Sequence, residues 1–421
     1  MTQPANLPTA PRPPALGEAE PGYAEFVFLM AALMSLNAFA IDAMLPALPA
    51  IGEALGVAQD NRRQLVVTAY LLGFGLTQML WGPLSDRYGR RPVLVTGLTL
   101  YAGFGLLAAV AASFPLLLGA RMLQGGAAAA TRVLVVSMVR DRFQGAMMAR
   151  VMSMTFVVFM LVPVLAPSVG QGILLFASWR AIFWAFAIWG VAMLAWSWLR
   201  LPETLDPANR RAISVAAIGE ATVETLRNRL SLGYTLAVML LMGGLMGYIN
   251  SVQQIVTDVF GRPDLLALVF AIVAVPMAVA SYANARLVER VGVRRMAQGG
   301  LAAVTAVAAV HLAITILWGE SLVIFMVLQG LTMACFGLAS SNMGAIAMQP
   351  MGHIAGTASS VQGTVQTIGA AVLGTAIGQS FDGTTVPLLA GFLLFGIAAV
   401  AALWWAERGA MFAGDAAVMP L

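Results

Sequence analysis

Twelve apolar windows, near residues 25–46, 64–83, 93–112, 116–137, 151–173, 179–200, 234–256, 265–285, 297–317, 321–343, 358–380 and 385–406, alternate with polar breaks along the chain. Each is close to the roughly 20 residues that carry an α-helix across the hydrocarbon core of a bilayer. The pattern predicts six spanning helices, a longer polar break from Pro202 to Leu232, and six more helices. The organisation read from it is a tail over 1–24, an N-terminal half over 25–200, a cytoplasmic linker over 201–233, a C-terminal half over 234–407 and a second tail over 408–421. In the linker, Ile213, Ala217, Val223, Leu226 and Leu230 recur at near-helical spacing among Glu220, Glu224, Arg227 and Arg229. That spacing fits a short amphipathic helix on the membrane surface, or a loosely structured connection.

Two of the interruptions repeat. WGPLSDRYGRRP, Trp81 to Pro92, sits between the second and third windows, and ANARLVERVGVRRM, Ala283 to Met296, sits between the eighth and ninth. Asp86, Arg87, Gly89 and Arg91 align with Glu289, Arg290, Gly292 and Arg294 at a constant offset of 203 residues. A second echo pairs RMLQGG, Arg121 to Gly126, with MVLQGL, Met326 to Leu331, and aligns Gln124 with Gln329 at an offset of 205. Two echoes at nearly one offset indicate duplication, the parallel repeat from which one large class of secondary transporter is built. The second copy has Met326 where the first has Arg121, so charge chemistry is concentrated in the N-terminal half.

Composition agrees with lipid as the main solvent. Of 421 residues, 60% are hydrophobic and 10% charged, against about a quarter charged in soluble domains. The predicted fold class is therefore an all-α polytopic membrane protein of twelve helices in two pseudo-symmetric halves. All 23 basic residues are arginine. With a cytoplasmic amino terminus, 17 lie on the cytoplasmic side, 4 on the other (Arg62, Arg63, Arg180, Arg262) and 2 in the membrane (Arg121, Arg132). This positive-inside bias places both termini in the cytoplasm and accounts for the basic charge without a nucleic-acid partner. The proline-rich first 22 residues lack a basic start and an apolar core, so they read as a disordered tail, not a signal peptide. Cys335 is the one cysteine and forms no intrachain disulfide. His311 and His353 lack partners at metal-ligand spacing, and neither a phosphate-binding loop nor a nucleophile constellation is present. No metal, no cofactor and no enzymatic activity are expected.

The chemistry expected of the apolar segments rests on a few polar residues. Asp42 is a carboxylate in a membrane-spanning segment, where an unpaired charge is costly and marks an ion or proton path by default. Withdrawal from water penalises its charged form, which makes proton uptake and release a usable step. The alternative is an interfacial acid solvated at a helix end. Arg121 stands as its countercharge, whereas Arg132 fits an arginine that snorkels from a helix end. In the charged turn, Gly82 allows close helix approach, Pro83 and Gly89 permit a tight reversal, and Asp86 can bond arginine or exposed N–H groups. Arg87 and Arg90 there, with Glu289 and Arg290 in the echo, are expected to latch the two halves across their boundary. Pro163, Pro167, Gly170 and Gly172 permit a bend and close contact in the fifth span. Asn37, Tyr248, Asn250, Gln253, Gln254 and Asn342 are candidates for substrate contact, although buried amides in bundles commonly bond neighbouring helices. The 25 methionines suit a cavity that repacks around varied apolar ligands.

GPLSDRYGRRP resembles the loop signature between the second and third helices of the major facilitator superfamily. RMLQGG resembles the fourth-helix signature of that superfamily's proton-driven exporters, and LVPVLAPSVGQG, Leu161 to Gly172, resembles their fifth-helix antiporter signature. It departs from that signature at Ala166 and Gln171. IDAMLPALPAIGEALGV, WRAIFW, LPETL and AMQPMGHIAGTASSVQG together resemble the Bcr/CflA group of drug exporters in the drug:proton antiporter branch. The resemblance implies proton coupling through Asp42, Arg121 and Gln124. It further implies alternating-access export of small amphipathic compounds across a bacterial inner membrane, with protons, lipid and a small-molecule substrate as partners and a monomeric protein. A same-fold metabolite importer or facilitator, or a non-transporting sensor, are the other readings.

Overall fold

A computed structural model describes residues 21–210 and 213–412. Most of both expected tails lies outside the described residues. Within them the regular structure is helical throughout, and twelve long helices match the twelve windows in order. The first half comprises α1 (Tyr23–Asp42), α2 (Leu65–Tyr88), α3 (Arg90–Ala109), α4 (Phe114–Arg142), α5 (Gly145–Phe176) and α6 (Arg180–Arg200). The second comprises α7 (Arg229–Gln254), α8 (Leu266–Val291), α9 (Val293–Trp318), α10 (Leu322–Met348), α11 (Ala355–Gln379) and α12 (Val386–Ala406). Ten helical stretches, one of them 58 residues long and holding both α10 and α11, are long and apolar enough to cross a membrane. The protein is a multi-pass membrane protein.

The helix ends are written locally. Ser113 and Ser321 cap α4 and α10, each accepting from the N–H three residues on at 3.4 Å. Gly89 between α2 and α3 has φ +102°, and Gly292 between α8 and α9 has φ +91°, a region that disfavours any residue with a Cβ. The duplicated turn is thus duplicated in backbone as well as in sequence. Pro83 lies inside α2 and not at the reversal. A Cβ at Gly82 would meet only Val133, at an ordinary 3.9 Å, so the close approach expected there is absent.

The packing repeats too. In the first half α2 packs on α4, α3 on α4 and α6, and α1 on α5 and α6. In the second, α8 packs on α10, α9 on α10 and α12, and α7 on α11 and α12. The halves meet through α2 against α11 and α5 against α8, two contacts that the repeat converts into each other. The segment between the halves contains a helix, Val215–Arg227, capped by Ser214. It buries Ala221 and Thr225 and leaves Val215 and Val223 exposed.

Among the described residues, the hydrogen bonds that join the halves all lie at one end of the bundle. Asn61 donates to the carbonyls of Gln379 at 3.2 Å and Phe381 at 2.8 Å, and accepts from Gln254 at 2.8 Å. Gln379 donates to the carbonyl of Asn61 at 2.6 Å, Gln64 donates to Gln254, and Thr68 and Thr375 share a bond of 2.7 Å. This polar clasp is at the start of α2, and the charged turn is at its other end, about 36 Å away along 24 residues of helix.

Candidate functional site

Three of the segments picked out in the sequence converge on the last turn of α1. Asp42 closes that helix and is 3% exposed. It accepts no hydrogen bond among the described residues, and its Oδ1 is fully withdrawn from solvent. Two residues earlier, the carbonyl of Ala40 accepts from Arg121 Nη2 at 2.9 Å. One residue later, Ala43 lies against Gly170 of α5, where a Cβ would come within 1.8 Å of the Ala43 carbonyl oxygen. Only glycine lets α5 reach the backbone beside Asp42. Gly172 has no such neighbour, and Pro163 and Pro167 lie inside α5.

Arg121 is fully buried, and its surroundings explain how a permanent charge is held there. Besides Ala40 it donates to Gln124 Oε1 at 2.7 Å and reaches the Val66 carbonyl at 3.5 Å. Its guanidinium lies 4.4 Å from the Tyr70 ring centre, with Phe183 at 5.7 Å and Phe186 at 5.8 Å on α6. Phe183 comes from WRAIFW, so that motif builds part of the aromatic box. Gly125 sets the depth of the box: a Cβ there would fall 1.9 Å from the Tyr70 carbonyl. The expectation of Arg121 as countercharge to Asp42 is corrected. Among the described residues no ion pair joins them, and Arg121 clamps the backbone of α1 two residues from the carboxylate.

The remaining candidates divide. Asn37 is engaged within its half, accepting from the Tyr70 hydroxyl and donating to Thr131, both at 3.0 Å. Asn342 donates to Asn284 and to the Leu338 carbonyl, each at 2.7 Å. Gln253 donates to Thr257 at 3.1 Å, and Gln254 belongs to the polar clasp. Asn37, Asn342 and Gln254 hold helices together in this state, and Gln253 bonds one turn along its own helical stretch. Tyr248 and Asn250 differ, since the Tyr248 hydroxyl and Asn250 Oδ1 are buried without hydrogen-bond partners among the described residues. Tyr248 packs its ring 5.8 Å from Phe270 and lies close enough to Asp42 to interact electrostatically across the boundary between the halves.

At the charged turn the expected latch between halves is replaced by a cluster within the first half. Arg90 is 3% exposed and donates to Asp86 at 2.5 Å, Ser85 at 2.6 Å and Asp141 at 2.9 Å. Glu203 of LPETL folds back and accepts from the N–H groups of Arg90 at 2.8 Å and Arg91 at 3.2 Å. An acid at the first turn of α3 satisfies N–H groups that have no partner within the helix. Arg87 is exposed beside the Tyr88 ring. In the second half Glu289 and Arg290 are exposed, and no ion pair joins either of them to the first half among the described residues. The ionic contact there is Arg294 with Glu407, to which Tyr234 also donates at 2.7 Å. Glu203 and Glu407 both follow the last helix of their half, 204 residues apart, so the repeat offset was a usable signal for them.

His311 does have a carboxylate beside it. Its Nε2 pairs with Glu320, whose other oxygen accepts from Thr385 at 2.6 Å. Among the described residues no group of three or more potential ligands could hold a metal ion.

Comparisons with known proteins agree with this fold. Residues 28–374 match the family profile described as Major Facilitator Superfamily. The bicyclomycin resistance protein homolog of Haemophilus influenzae is 29% identical over 375 residues, 86% of this chain and 91% of that protein. The multidrug resistance protein MdtL of Escherichia coli is 29% identical over 238 residues, 56% of this chain and 59% of that protein. The structure of the xylose transporter XylE from E. coli, in a partially occluded inward open conformation, superposes with a TM-score of 0.71 at 14% identity, covering 94% of this chain and all of that one.

Proposed function

The chain belongs to the Major Facilitator Superfamily, is a transporter of small molecules and not an enzyme, and from that premise we propose that it exports amphipathic compounds from a bacterial cell in exchange for protons. The names of its relatives support the drug:proton antiporter branch. The observation that carries the coupling is Asp42, a carboxylate buried at the boundary of the halves with no hydrogen-bond donor and no cation paired to it among the described residues. Such a group is held cheaply only when protonated, or when a ligand supplies the missing partner. Proton and substrate therefore compete for it.

In this reading both termini are cytoplasmic, the charged turn faces the cytoplasm, and the polar clasp closes the outer side. The site then opens inward. Substrate entering from the cytoplasm takes over the Asp42 carboxylate and releases its proton. The halves rock, the clasp parts, and Asp42 is protonated from outside as substrate leaves. The clusters at Arg90 and Arg294 stiffen the cytoplasmic ends of each half, so that the halves move as bodies.

Two measurements test this. In everted vesicles holding a proton gradient, substrate should discharge the gradient; a gradient left untouched by every compound the protein binds contradicts antiport. Alternating access predicts that Thr68→Cys with Thr375→Cys, in a Cys335→Ser background, forms a disulfide that stops transport until reductant is added. Full transport by the cross-linked protein would show that the clasp does not need to open.

A further inference from the structure

The first half carries a second intramembrane arginine, and its surroundings are unlike those of Arg121. Arg132 has no hydrogen bond, ion pair or ring contact among the described residues. The side chain is exposed, and its neighbours on α4 say where it points. Thr131 faces α1, where Asn37 donates to it at 3.0 Å, and Val133 faces α2, where it is the nearest neighbour of Gly82. Successive residues of a helix are about 100° apart, so Arg132 points between α1 and α2. That is the side turned toward the second half, since α2 packs on α11. Val136, one turn on, is 38% exposed along the same face.

The reading of Arg132 as a snorkelling residue fails on direction. Arg132 stands five residues before the end of the fourth apolar window, about 7.5 Å of helix, and its direction between α1 and α2 turns it toward the second half, not outward along a lipid-facing path to the interface. A charge at that depth without a fixed partner is expensive, and a guanidinium is always protonated and shaped to grip a planar acid with two parallel hydrogen bonds. The bond between Asn37 and Thr131 sets Arg132 level with Asn37, five residues before Asp42, so the two charges are offset by about 7.5 Å along the bundle. One is an acid without a donor and the other a cation without an acceptor.

We propose that Arg132 binds the acidic group of a zwitterionic amphipathic substrate whose cationic or N–H donor end engages Asp42. The inference rests on the export reading for the role of Asp42 and adds the substrate class. It is consistent with antiport because the donor end, at Asp42, favours the ionised carboxylate and so releases the proton, while the acid sits on a separate residue.

The test uses two dyes that differ in one group: rhodamine 110, with a free carboxylate, and rhodamine 123, its methyl ester. Binding to the purified full-length protein is followed by fluorescence polarisation. Wild type should bind the acid at least about tenfold tighter than the ester, the size expected of one charge-assisted bidentate contact. Arg132→Gln should lose that preference while keeping its affinity for the ester, and Arg132→Lys should retain part of it. Unchanged ester affinity shows in the same titration that the variant is folded. An equal acid-to-ester ratio in wild type and Arg132→Gln, or no binding of either dye by wild type, overturns the proposal. Failure of the export reading shows separately, as absence of proton movement in vesicles with a dye that binds.

Discussion

Asp42→Asn should reduce the substrate concentration ratio that the protein maintains to unity while leaving it folded in the membrane. The size of the effect follows from the driving force. One charge crossing 100 mV carries about 2.3 kcal/mol, which is about a fifty-fold concentration ratio when 1.4 kcal/mol is tenfold. Asparagine matches the shape of a protonated aspartic acid but cannot release a proton, so the protein is fixed in one half of its cycle. Because Asp42 makes no hydrogen bond among the described residues, the substitution breaks none of those seen. The variant should therefore accumulate and resist heat like wild type. Measured efflux against a gradient at wild-type level would remove Asp42 from the coupling step.

Arg121→Lys should abolish export for a different reason. Lysine keeps the charge, but a single ammonium cannot span the Ala40 carbonyl and Gln124 while lying flat on Tyr70, Phe183 and Phe186. A hydrogen bond from a charged donor contributes about 1.5–3 kcal/mol, so losing one costs a factor of about 10 to 100 in any equilibrium that depends on it. The last turn of α1 is then free to shift, and Asp42 with it. Efflux should fall about a hundredfold in a protein that still reaches the membrane. Arg121→Ala removes the bonds to Ala40, Gln124 and Val66 and leaves a void among three rings, and should lower the amount of folded protein as well. Normal transport by Arg121→Lys would mean that the position of α1 does not matter.

Much of this was legible in the sequence because lipid imposes a simple grammar. Every span must satisfy its own backbone and present apolar side chains, so the twelve helices could be read as twelve windows. The duplication was visible in Gly89 and Gly292 because a positive φ demands glycine at both places. Asp42 and Arg121 stood out because charge is rare at that depth. What could not be read was pairing. Nothing local says that Arg121 holds a carbonyl of α1 instead of the nearby carboxylate, or that Glu203 folds back onto α3 while Glu407 pairs with Arg294. Those contacts join residues up to 113 apart, and their geometry depends on how helices stack. The clasp was missed for the same reason. Asn61 and Gln64 look like ordinary polar residues at a helix start until Gln254 and Gln379 are brought opposite them. Arg132 was passed over because a lone arginine in a helix has a plain explanation, and its direction between α1 and α2 is not written locally.

The central claim is that substrate and proton compete for Asp42. It is tested most directly by proton release on binding, measured with a pH-sensitive dye and purified protein in weakly buffered detergent near neutral pH, on addition of saturating rhodamine 123. The account predicts release from wild type and none from Asp42→Asn with the dye still bound. Equal release from both proteins, or none from wild type with the dye bound, would contradict it.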